Sequence, residues 1–116
     1  MVVLSDAVPG REDEFNDWYD NLLLKKVVEL DGYANGQRFE LQGVNPPEAE
    51  WPQYRYLAIY EIPEGQLEIA KASMARQYAE RAAALEAGEE PEVPLSPALR
   101  AGVGYWFTSI GPRLEG

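Results

Sequence analysis

Pro9-Gly10-Arg11-Glu12-Asp13-Glu14-Phe15-Asn16-Asp17-Trp18-Tyr19-Asp20-Asn21-Leu22-Leu23-Leu24-Lys25-Lys26-Val27-Val28-Glu29-Leu30-Asp31-Gly32 is the stretch that decides the fold. Phe15, Trp18, Tyr19, Leu22, Leu23, Val27 and Leu30 recur at steps of three and four, which aligns them on one face of a helix from about Glu12 to Glu29. The charges suit the helix dipole: Glu12, Asp13 and Glu14 occupy the first turn, and Lys25 and Lys26 lie near the last. Gly32 supplies a residue able to take a left-handed stop. Ahead of this helix, Val2 to Ser5 is a short run of β-branched character stopped by Pro9-Gly10, and reads as a first strand and turn.

Behind the helix, Tyr33 to Leu41 reads as a strand, with Tyr33, Asn35, Gln37, Phe39 and Leu41 on one face and Ala34, Gly36, Arg38 and Glu40 on the other. Gly43 to Pro52 carries three prolines and forms a wide hairpin connection. Tyr54 to Ile62 is apolar and aromatic on both parities, as a strand covered on both faces requires, and Pro63 ends it. Leu67, Ala70, Met74, Tyr78, Ala82 and Leu85 mark a second amphipathic helix finishing near Gly88. Glu89, Glu90, Pro91, Glu92 and Pro94 read as solvated positions of an acidic loop, and Val103 to Ser109 as the last strand. The order βαββαβ predicts an α+β chain folded as a ferredoxin-like plait, an antiparallel sheet with two helices on one face, in one domain over residues 1–116.

Composition excludes several functions. Ten basic residues against twenty acidic ones give a formal charge of −10, which repels nucleic acid and anionic lipid surfaces. With no cysteine and no histidine, disulfides, thiolate catalysis and the common zinc, iron–sulfur and haem ligands are missing, so no metal and no cofactor is expected. There is no basic leader before an apolar core and no run approaching the ~20 apolar residues of a membrane helix, so the expected setting is cytoplasmic with no membrane association. Missing histidine also removes the side chain that most readily moves protons near neutrality.

The strands are apolar on both faces while two helices cover only one, so the open sheet face needs a partner. A second copy packed sheet to sheet would make a dimeric α+β barrel, and a stable free monomer is not expected.

Pro9 to Asn21, then Asp31-Gly32-Tyr33 with Gln37-Arg38-Phe39, and Tyr54-Arg55-Tyr56-Leu57-Ala58-Ile59-Tyr60-Glu61-Ile62, resemble the EthD-like group of dimeric α+β barrel proteins. In that group the helix commonly runs Trp-Tyr, three residues, then His-Leu. Here Trp18-Tyr19 leads to Leu23-Leu24, so Leu23 holds the histidine position. The resemblance implies the plait and the homodimer. Related barrels include cofactor-free polyketide cyclases, small-molecule lyases and isomerases, and haem-linked enzymes.

Leu23 is either one more core leucine or, one turn after Tyr19, the lining of an apolar site between helix and sheet. Arg38, on a strand beside Ala34 and Gly36, could bind a carboxylate or enolate, or pair internally with Glu61 or Glu40. Glu61 is a possible general base or a strand-end ion-pair partner. Trp18, Tyr19, Tyr56, Tyr60, Tyr105 and Trp106 form an aromatic set suited to a flat, partly apolar ligand, and a tyrosine hydroxyl can donate to a developing oxyanion. Asp6 is expected to cap the helix region or point into the pocket mouth.

Two functions fit. One is a cofactor-independent lyase, isomerase or cyclase acting on a small aromatic, polyketide-like or otherwise apolar oxygenated molecule. In it Tyr19 hydrogen-bonds a carbonyl, Arg38 stabilises the enolate and Glu61 moves the proton. The other is a non-catalytic homodimer that binds a ligand or stabilises a partner, and a scaffold with no small-molecule pocket stands behind both.

Overall fold

The sheet is antiparallel throughout in the computed structural model, which describes residues 1–116. Its strands are β1 (Val2–Ala7), β2 (Asn35–Glu40), β3 (Tyr56–Glu61) and β4 (Leu99–Tyr105), in the order β2-β3-β1-β4. The helical segments are α1 (Glu12–Trp18), a π-helical turn (Tyr19–Leu23), α2 (Leu24–Val28) and the long α3 (Leu67–Glu86). The first three join end to end, with right-handed helical backbone at Trp18, Tyr19, Leu23 and Leu24. The helix expected over Glu12 to Glu29 is therefore one rod with a widened middle turn. The architecture is α+β and compatible with a ferredoxin-like fold.

Cross-strand register assigns the two faces, because residues directly opposite in an antiparallel pair share a face. Val3 opposes Ala58 and Gly104, Ser5 opposes Tyr56 and Gly102, Gly36 opposes Tyr60, and Arg38 opposes Ala58. These residues turn toward the helices. The other parity holds two rows that run across the sheet: Phe39, Leu57, Leu4 and Val103 in one, Ile59, Val2 and Tyr105 in the next. None of these seven is buried, and Phe39, Ile59 and Tyr105 are 41%, 40% and 47% exposed. The molecule is only 21 Å thick along its shortest axis, one sheet and one helical layer.

Three sequence expectations change. The last strand lies four residues earlier than Val103 to Ser109. Tyr105 already faces Val2, the first residue of β1, so Trp106 and Phe107 have no neighbour strand to pair with. Leu99 joins instead, facing Ala7 across an irregularity in the ladder. Second, α3 buries Ala70, Ser73, Met74, Gln77 and Ala84, while Tyr78 and Leu85 are 58% and 63% exposed. Polar anchors set this rotation: Ser73 Oγ donates to Asp31 O at 2.7 Å, and Arg81 Nε donates to Val93 O at 3.0 Å. Near the start of α3, Gly32 (φ +97°) is so close that an added Cβ would lie 2.6 Å from Ala70 N. Third, the loop after α3 is not wholly solvated. Glu89, Glu90 and Glu92 are exposed, but Pro91 and Val93 are buried.

Asp6 neither caps a helix nor enters a pocket. Its parity puts it on the open sheet face, where Arg55 Nε donates to Oδ1 at 2.7 Å and Arg100 Nη2 to Oδ2 at 2.9 Å. Burial alone would push the Asp6 carboxyl up, but the hydrogen bonds from Arg55 and Arg100 outweigh it and hold the group below the ordinary carboxylate range.

Candidate functional site

A cavity of about 290 Å³ opens between the helices and the sheet on the β1–β4 side. Trp18, Tyr19, Leu23 and Val27 of the first helical rod form one wall, and Met74, Gln77, Tyr78 and Arg81 of α3 form another. Its floor is Val3 and Ser5 of β1 with Gly102 and Gly104 of β4. A Cβ built at Gly102 or Gly104 would meet protein atoms only at 3.7 Å or beyond, ordinary contact distance. Packing within the chain thus does not demand glycine there. Glycine in a strand weakens it, and one reason to keep it is close approach of a ligand.

The π-helical turn positions the wall. In an α-helix residues four apart are offset by about 40°, and a wider turn brings them nearer to eclipse. Tyr19 and Leu23 open and close this turn and both line the cavity. Leu23 is partly buried against the core, so it is at once core and lining.

Deepest in the wall, the Tyr19 and Tyr60 hydroxyls are 3.2 Å apart, with Tyr19 and Tyr60 each 2% exposed. Burial pushes the Tyr19 phenol up, partly offset by the Tyr60 hydrogen bond and the Arg38 charge. Burial, with Tyr19 adjacent, pushes Tyr60 up further. Both stay neutral near pH 7. One hydroxyl satisfies the other, and the remaining proton can be offered to a ligand oxygen.

Arg38 stands behind this pair. Its guanidinium carbon lies 4.4 Å from the centre of the Tyr19 ring, and its nitrogens donate to Asp20 Oδ1 and Asn16 Oδ1 at 2.9 Å each. The internal partner is therefore Asp20, not Glu61 or Glu40. Arg38 borders a separate shallow hollow with Asn16, Asp20 and Tyr56. Its charge reaches Tyr19 through the ring.

Glu61 is separated from both. Strand parity turns it away from Tyr60, so it lies exposed on the opposite sheet face and accepts from Asn35 Nδ2 at 3.2 Å. The trio Tyr19, Arg38 and Glu61 is thus not assembled: the first two stack, and the third is across the sheet. Of the aromatic set, Trp18, Tyr19 and Tyr60 line the cavity, and Trp18 Nε1 donates to Pro94 O at 3.0 Å, tying the loop to the rim. Tyr56 packs on Phe15 with ring centres 5.2 Å apart, Tyr105 is exposed on the open face, and Trp106 packs against Tyr33 with ring centres 6.5 Å apart.

Sequence reasoning missed Ser5, Gln77, Arg81, Gly102 and Gly104. Gly102-Val103-Gly104 carried a usable signal, since small residues at alternate positions of a strand clear one face. A hollow of about 380 Å³ between Lys26, Glu29, Arg76 and Glu80 is larger, but its walls are charged and mostly solvated. No three His, Cys, Asp or Glu side chains converge as a metal site would require, and no helix is long and apolar enough to cross a membrane. No family model, curated protein or solved structure matches the chain, so its own geometry carries the functional argument.

Proposed function

We propose that this chain is a small-molecule-binding protein that takes a flat, largely apolar, oxygenated ligand into the cavity beside Tyr19 and Leu23. The carrying observation is the floor: Gly102 and Gly104 leave room over β4 that the chain's packing does not require. Apolar walls supply burial energy at ~25 cal/mol per Å², and the neutral Tyr19–Tyr60 pair supplies a directed hydrogen bond. The test is fluorescence titration with 2-naphthamide. Saturable binding that Gly104→Val abolishes, with the melting temperature kept, upholds the reading; equal binding by both proteins sinks it.

The working unit of this reading is a homodimer formed through the open sheet face, giving an α+β barrel of the EthD-like kind. Two apolar rows without a partner, and only 19 buried residues of 116, support it.

Catalysis as a cofactor-independent lyase or isomerase is the second reading, favoured by the hydroxyl pair at the π-helical turn. Tyr19 would polarise a carbonyl, with Arg38 behind its ring. No carboxylate lines the cavity, so the proton acceptor would be the substrate's own group or water. Binding is therefore the function that the geometry supports better. Turnover of an oxygenated aromatic that falls a hundredfold in Tyr19→Phe would move the assignment to catalysis.

A further inference from the structure

Among the 17 residues lining the cavity, Arg81 is the one with a charged side chain, in a chain with twenty acidic residues. Its position is held on two sides. Nε donates to Val93 O at 3.0 Å, and the guanidinium carbon lies 5.7 Å from the centre of the Tyr78 ring. No carboxylate lies within ion-pair distance of Arg81, although Arg38, Arg55 and Arg100 each have one. Its two Nη groups make no hydrogen bond within the protein, so a planar pair of donors is left over at the rim.

Two more polar side chains on the cavity lack partners. Ser5 and Gln77 are 3% and 8% exposed, and neither the Ser5 hydroxyl nor the Gln77 amide makes a side-chain hydrogen bond within the chain. Buried polar groups are normally satisfied, and these two keep some solvent access: both border this cavity, and Gln77 also borders the charged hollow beside Lys26 and Glu80.

From this we infer that the ligand is an apolar, ring-bearing monocarboxylate. Its carboxylate pairs with the Arg81 fork at the loop end of the cavity, its ring lies over Gly102 and Gly104, and its oxygen or nitrogen substituents meet Ser5, Gln77 and Tyr19. A carboxylate matches two parallel N–H donors, and with no acidic lining nothing opposes its entry. The inference rests on the ligand-binding reading and narrows it to a charge class.

The discriminating pair is 2-naphthoate and 2-naphthamide, equal in shape and different in charge, titrated at pH 7 into the full chain and into Arg81→Gln. The expected result is tenfold or tighter binding of the acid than of the amide by the unaltered protein, and loss of that preference in Arg81→Gln. Equal binding of acid and amide by the unaltered protein overturns the carboxylate inference and leaves the cavity reading intact. An acid preference that survives Arg81→Gln also overturns it, since the charge is then read elsewhere. Binding of neither compound overturns both readings. If Arg81→Gln loses both ligands, Arg81→Lys decides: a restored acid preference upholds the inference, and equal binding overturns it.

Discussion

The two faces of the sheet are built from the same four strands and do opposite things. Toward the helices, Gly102 and Gly104 withhold side chains while Tyr60 and Ser5 bring hydroxyls, and space remains. Toward the open side, Val103 and Tyr105 from the same strand add apolar side chains beside Leu4 and Val2, and the surface is apolar but uncovered. One residue of register separates the two. A hollow face with neutral donors suits a ligand, whereas an apolar face with rows of side chains suits another sheet.

The largest break in this contrast comes from charging the apolar face. Leu4→Asp together with Leu57→Lys is expected to convert a dimer to monomer at every accessible concentration, read by sedimentation equilibrium. A wild-type monomer would remove the barrel proposal. Next, Gly32→Ala attacks the hollow face by forcing α3 away: positive φ and a clash with Ala70 backbone should cost about 3 kcal/mol, read by urea unfolding. Asp6→Asn weakens the ion network on the apolar face. Because Arg55 and Arg100 are partly exposed, the loss should be about 1–2 kcal/mol, smaller than for a fully buried pair.

Smallest at neutral pH, but sharpest in assigning faces, is the pH dependence. Asp6 has a folded value below its unfolded one, so its contribution is complete above about pH 4 and fades as pH falls through the folded value. Tyr33 is pushed up to about 12, mainly by burial, and Tyr19 and Tyr60 are raised too. Their contribution is complete below about pH 10 and fades as pH rises beyond it, because the unfolded chain then loses phenol protons that the folded chain keeps. Asp6→Asn should reduce the acid limb alone, leaving the part that Glu12 carries, and Tyr19→Phe should reduce the alkaline limb alone. Guanidinium-melt midpoints across pH, with tyrosinate absorbance on the alkaline side, check both.

Much of this was legible in the chain. Phe15, Tyr19 and Val27, chosen by period, are buried on the helix face, and the parity that Arg38 shares with Gly36 is the one that meets the helices. Ala58 and Tyr60 alternate with Leu57 and Ile59 as a strand between two environments requires. What failed did so where a local pattern met a distant constraint. Trp106 and Phe107 have high strand propensity, but β1 offers them no partner. Tyr78 and Leu85 satisfy the helical period, but contacts of Ser73 with Asp31 and of Arg81 with Val93 rotate α3 the other way. Glu61 carries suitable chemistry, yet alternation next to Tyr60 turns it to the far face.

The site divides along the same line. Leu23 was singled out by the resemblance and Tyr19 by standing one turn before it, and that relation between the two is local. Ser5, Gln77, Arg81 and Gly104 come from three separate elements and meet only when α3 settles above β1 and β4.

The sequence by itself determined the order of helices and strands, that no histidine or cysteine chemistry is available, and that Leu23 stands one turn after Tyr19. Periodicity and residue chemistry are local properties, and they need no partner to be read. Only the tertiary structure decided that Arg38 pairs with Asp20, that Glu61 is remote, and that glycines on β4 face a cavity with an unpaired arginine at its rim. Those outcomes depend on register and on where polar anchors stop a helix from turning, and both are settled between elements distant in the chain.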